Sequence, residues 1–206
     1  MRPDHDVEAL LRHAARADAL VGFAQSMAEA VIDPRSLSDC ILDRVAHLVG
    51  DAVTVWIVPV GSTDMVSSGT THINVAARRM LEDVQFNAGP QSADGISRSV
   101  IETGERLVLT DFSFEDNVDR IHPAYRPWMK RYGASSLVVL PMRARGRVIG
   151  AIGATRDRGR PRYTDIDVDF MQALADIAAL ALDNAHLLAE ARAAAGSEWY
   201  RARSSR

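Results

Sequence analysis

Two apolar runs joined by a tight turn, followed at once by a long helical pattern, limit this chain more than any other stretch. Ser136 to Met142 is short and apolar with Pro141 near its end, Gly146 sits in the turn, and Val148 to Ala154 is apolar again, loosened by Gly150 and Gly153. Two β-rich runs separated by a few residues that include Gly predict an antiparallel hairpin. Thr164 then supplies an N-cap, and Asp165, Asp167 and Asp169 fall near the positive end of the helix it opens. The hairpin and that helix are the nucleus of the reading.

Upstream, Val7 to Val31 reads as a helix. Val7, Leu10, Ala14, Ala17, Val21, Ala24, Ala28 and Val31 alternate steps of three and four, the spacing of a coiled-coil seam. Leu11 and Leu20 widen that stripe enough for the helix to pack on its own domain instead. Asp33-Pro34 ends it, because proline pushes the preceding residue out of the α region. Arg35 to Val49 is a second helix with Gly50 as its stop. Ala52 to Val60 is a β-branched strand, and Met65 to Thr71 its expected partner. Asn74 is expected to cap a short helix through Leu81, and Val84 to Asn87 to form a brief strand halted by Gly89-Pro90. Ser92 to Thr103 reads as a helix closed by Gly104, and Arg106 to Leu109 as another strand. The sum is an α+β fold: a central antiparallel sheet of about six strands, helices on both sides, and long helices at both ends. The expected divisions are a signalling helix over 1–33, a core over 34–163, a closing helix over 164–195 and a flexible tail over 196–206.

At this point the residues carry a family resemblance. The hairpin Val139-x-Pro141-Met142, Gly146, Ile149-Gly150-x-Ile152, the Tyr163-Thr164-x-x-Asp167 helix start and the helix ending ALDNAHLL resemble the C-terminal half of a GAF domain. Glu102 to Asp111 (ETGERLVLTD) resembles the same family's helix-end, strand and aspartate segment. The resemblance runs from about Leu37 to Leu188. It implies a regulatory domain that senses a small molecule under a segment covering one sheet face.

Several chemistries find no support. The formal net charge is −3, which argues against nucleic acid as the main partner. The charged N-terminus is no signal peptide, no run approaches the ~20 apolar residues of a membrane span, and the single cysteine suits a reducing cytoplasm. There is no G-x-S-x-G elbow, no H-E-x-x-H pair and no glycine-rich loop leading into a helix. Cys40 alone cannot supply a resolving thiol, which opposes the free methionine sulfoxide reductase activity of some GAF proteins. Bilin-linked relatives carry their cysteine later in the domain, where this chain has none. Relatives that bind cyclic nucleotides carry Asn-Lys, then Phe, three residues and Asp-Glu. Here Thr155-Arg156, Tyr163 and Asp167-Val168 stand in those places. Two arginine clusters, Arg143, Arg145 and Arg147 at the turn and Arg156, Arg158, Arg160 and Arg162 beyond the second strand, lie ~26 Å apart along the hairpin and read as solvated loop charge, with nucleic-acid or effector docking as the alternative.

The segment Asp111 to Gly133 mixes His122, Tyr125, Trp128 and Tyr132 with charge, and Pro123 and Pro127 keep it irregular. The resemblance makes it the lid of a small-molecule cavity, with Asp111, His122, Tyr125, Trp128, Ser135 and Ser136 as ligand contacts. A planar or cyclic ligand is expected between this lid and the strand Ser136 to Met142. The bland alternative is that the rings only cap the core of a ligand-free dimerisation and scaffold domain; haem held by His122 is a sharper one. In the closing helix, Phe170, Leu174, Ile177, Ala181, Asn184, Leu188, Ala191 and Ala195 repeat the three-four spacing. Val7, Leu10, Val21, Val31, Ile177, Asn184 and Leu188 are therefore the expected contacts of a parallel homodimer, a four-helix bundle through which occupancy is signalled. Asn184 has an equal alternative, a local hydrogen bond. The expected output lies on a separate protein, or on a longer chain of which this is a fragment.

Overall fold

The structure, a computed structural model, describes residues 3–29, 34–88 and 95–204. Five strands form one antiparallel sheet in the order β2-β1-β5-β4-β3: β1 Ala52–Ile57, β2 Val66–His72, β3 Leu107–Leu109, β4 Ser136–Ala144 and β5 Arg147–Arg156. The expected sixth strand is absent: residues 84–87 lie inside α3 (Val75–Ala88). That helix starts where Asn74 Oδ1 accepts from the backbone N–H groups of Ala76 and Ala77, at 2.9 and 3.1 Å. It then runs past Leu81 because nothing before Gly89 breaks it. The helix expected from Ser92 is α4, Ile96–Thr103, and its first expected residues lie outside the described ones.

The central hairpin forms as its residues suggest, with Ala144 opposite Arg147 and a two-residue turn at Arg145 and Gly146. Both turn residues have positive φ, 49° and 78°, the primed-turn geometry that matches strand twist. Arg145 holds that costly conformation while its guanidinium binds Asp183 and Asn184 (3.1 and 2.7 Å), and Arg147 binds Asp183 at 2.5 Å. Pro141 sits in β4 beyond the end of β3, so its missing N–H costs no bond on that side.

Strand alternation sends side chains to two faces. Val53, Val55, Val138, Leu140, Met142 and Ile152 meet α2 (Pro34–Val49) and α7 (Asp165–Ser204) on one. Ala52, Leu137, Val139 and Ala151 meet α3, α4 and α6 (Arg126–Tyr132) on the other. The helix α1 (Pro3–Glu29) lies against α7 and α2 through Phe23 and Met27, both in the core, with Arg16 bound to Asp167 at 2.5 Å. α7 is 40 residues long, ~60 Å, and it continues as helix through the segment from 196 that the sequence suggests is a tail. Among the described residues, no helix is long and apolar enough to cross a membrane.

Candidate functional site

Between the second sheet face and its cover lies a cavity of about 100 Å³. Ala52, Thr54 and Trp56 of β1, Leu137 and Val139 of β4, and Gly153 and Thr155 of β5 make its floor. The cover is Ile96 and Ser97 of α4, Leu81 of α3, and the stretch Arg120 to Met129. Gly153 is required here. A Cβ at that position would stand 2.9 Å from the six-membered ring of Trp56, so the indole lies across the strand only because glycine leaves the space.

The cover is built from short pieces. Ser113 Oγ accepts from the Asp116 N–H to start α5 (Phe114–Asn117); a 3-10 turn follows at Val118–Arg120, another at Pro123–Tyr125, and then α6. Trp128 is buried and donates from Nε1 to the Ala77 carbonyl of α3 at 2.9 Å. His72, 5.7 Å away edge-on, and Tyr132 complete its cage. His122 lines the cavity beside Tyr125, rings 6.2 Å apart and T-shaped. Its Nδ1 accepts from the Ala124 N–H at 3.3 Å. Burial, and then the nearby Arg126 guanidinium, hold its pKa below the ordinary 6.5. The ring is therefore neutral at pH 7, with its proton on Nε2.

Of the six ligand contacts expected from the sequence, the structure brings three to the cavity: His122, Tyr125 and Trp128. Asp111 is exposed on the surface, where its carboxylate accepts from Arg162 at 2.8 Å. Ser135 Oγ donates to the carbonyls of Arg156 and Arg160 (3.3 and 3.2 Å). Ser136 is buried toward the opposite face, its Oγ accepting from the Tyr163 N–H at 3.3 Å. Trp56, Gly153 and Thr155 are cavity residues that the sequence reading passed over. Strand alternation opposite Ala52 and Leu137 was the signal available for Thr155. The pocket as folded has no room for a porphyrin, so haem at His122 does not fit. Cys40 packs against the other face, on α2, and the described residues hold no group of three or more metal-ligating side chains.

On α1, Leu10 (71% exposed) and Val21 (58%) face solvent, as do Ala14, Ala17, Ala24 and Ala28. The side chain of Val7 and all of Val31 lie outside the described residues. Arg16, Leu20, Phe23 and Met27 form the inward face instead, which the seam spacing did not select. On α7, Ile177 packs partly against its own core, Asn184 accepts from Arg145, and Leu188 is exposed beside Leu187. The arginines of both clusters are largely engaged: Arg145 and Arg147 on Asp183, Arg156 on Asp167, Arg160 on Asp51 and Arg162 on Asp111.

Comparison with known proteins bears on this architecture. A family model described as GAF domain matches residues 33–182. No curated protein sequence matches. Among solved structures, the GAF domain from an Acinetobacter phosphoenolpyruvate-protein phosphotransferase is similar at TM-score 0.64 and 15% identity, covering 85% of this chain and 98% of that one. A GAF domain/HD domain protein from Geobacter sulfurreducens gives 0.58 and 21%, covering 82% and 98%. The free methionine-R-sulfoxide reductase of Neisseria meningitidis, solved with its substrate, gives 0.58 and 16%, covering 85% and 93%. At these identities the likeness is one of fold.

Proposed function

The chain belongs to the GAF domain family, and from that premise we propose that it is a non-catalytic sensory module. It takes a small molecule into the cavity between the sheet and the Asp111–Gly133 segment and passes occupancy to a partner copy through α1 and α7. The observation that carries the reading is the cavity itself: apolar walls, a few placed polar groups, and a cover of short elements rather than a packed helix pair. Cys40 supports the non-catalytic half, because the chain's single thiol sits across the sheet from the cavity.

The route outward is the hairpin. β4 and β5 contribute cavity floor at one end and, at the other, the Arg145 and Arg147 clamp on the buried Asp183 of α7. A shift of the sheet under the ligand is thereby carried to α7 close to where Leu187 and Leu188 come into the open. The exposed stripe of Leu10 and Val21 on α1 supports pairing with a second copy, since those side chains remain mostly in solvent in their own subunit.

Native mass spectrometry tests both halves together. The expected species is two chains retaining a small-molecule mass, and Leu10→Glu with Val21→Glu is expected to give single chains that remain folded. Single wild-type chains carrying no added mass would overturn the proposal.

A further inference from the structure

Among the described residues, the buried Trp56 Nε1 and Thr155 Oγ1, both on residues that line the cavity, have no hydrogen-bond partner. Thr155 is only 8% exposed. Native interiors rarely leave such groups unpaired, and an orphan indicates a partner that comes from outside the chain. Thr54 and Trp128, which line the same cavity, show the usual pairing. Thr54 Oγ1 meets Thr70 Oγ1 at 2.9 Å, and Trp128 Nε1 reaches the Ala77 carbonyl.

Both orphans belong to residues that line this one cavity. The outer edge of the Trp56 six-membered ring lies over Gly153, which is two residues from Thr155 along β5, roughly 7 Å of backbone at the strand rise. An indole N–H only donates, so the ligand must present an acceptor there; the threonine hydroxyl takes either role. The volume sets the size. About 100 Å³ is less than the ~150 Å³ known to admit benzene. Charge is disfavoured as well: among the described lining residues the one permanently charged side chain, Arg120, is exposed, so an ion would meet no buried countercharge from them.

We propose that this cavity binds a compact, neutral, single-ring molecule, anchored by an acceptor on Trp56 Nε1 and by a polar atom on Thr155 Oγ1. The inference rests on the sensory reading above and names the ligand class of that same cavity. Cyclic nucleotides, tetrapyrroles and carboxylates fall outside it, on size or on charge.

Pyrazole is the probe, a five-membered ring with adjacent acceptor and donor nitrogens; cyclopentane is its apolar counterpart. Binding is read from the Trp56 indole N–H resonance, assigned by its disappearance in Trp56→Phe, and from methyl shifts on Leu137 and Val139. Pyrazole is expected to bind more tightly than cyclopentane and to move the indole resonance. Trp56→Phe and Thr155→Val are each expected to weaken pyrazole about fivefold, roughly 1 kcal/mol, while leaving cyclopentane unchanged. Equal binding of the two rings, with no effect of either substitution, would overturn the polar anchors and leave the sensory reading intact. Failure of both rings to bind a folded protein would overturn the ligand class. A small molecule retained in native mass spectrometry would then keep the sensory reading, and none would remove that too.

Discussion

The two faces of one sheet differ in how they are closed. On the face toward α2 and α7, Ile41, Leu140, Met142 and Leu174 are wholly buried in a continuous aliphatic core. On the other face the same strands leave a gap of about 100 Å³. The difference lies in the cover. Helices of 16 and 40 residues present regular ridges that interlock with a sheet's side chains. The other cover has one such helix, α3 of 14 residues, and otherwise pieces of eight, four and seven residues, with Pro123 and Pro127 each at the start of a new turn, which present no continuous ridge. These pieces are also pinned, Trp128 Nε1 to the Ala77 carbonyl and Arg126 Nε to the Ile121 carbonyl at 3.0 Å, which holds the cover off the sheet. A void persists where the cover is fixed by hydrogen bonds rather than by packing.

The largest test of this contrast uses two leucines of β4 that point to opposite faces. Leu140→Ala, in the packed core, is expected to cost about 3–5 kcal/mol, and Leu137→Ala, already beside the gap, about 2 kcal/mol, by chemical denaturation. Equal costs would break the comparison. A smaller effect separates two threonines on the cavity floor. Thr54→Val removes a made hydrogen bond and is expected to destabilise by about 1 kcal/mol, whereas Thr155→Val removes an unmade one and is expected to be neutral or mildly stabilising. A loss at Thr155 in ligand-free protein would show that its hydroxyl is already satisfied.

The smallest effect is one of pH. His122 has a folded-state pKa below its unfolded value, so below the ordinary 6.5 the unfolded chain binds the extra proton more readily. Stability is therefore expected to fall as pH drops through that range, and to fall less in His122→Gln. A slope unchanged by the substitution would place the ring in water rather than in the cover.

Much of the fold was readable because it is written in local patterns. The hairpin from Ser136 to Ala154, the Asn74 cap and the Thr164 helix start each need only neighbouring residues, and each formed. Residues 84–87 (Val-Gln-Phe-Asn) misled because four alternating residues match the strand period yet are too few to exclude a helix, and α3 had already begun without a stop before them. The seam on α1 is a similar case: its spacing is real, yet Phe23 and Met27 bury more area and decided which side faces the domain. The candidate site was half legible. His122, Tyr125 and Trp128 stand out as aromatics in an irregular segment, while Asp111, Ser135 and Ser136 looked equally eligible and face elsewhere.

By itself, the order of residues determined the antiparallel hairpin, the helices that start and stop around it, and membership in an α+β class, because periodicity, caps and turns act over a few residues. Only the tertiary structure decided that Trp56 would lie over Gly153 and that the Thr155 hydroxyl would find no partner among the described residues. It also decided that Arg145 and Arg147 would close on Asp183. Those outcomes depend on which strands become neighbours and which side chains arrive from far along the chain, and no local pattern encodes that meeting.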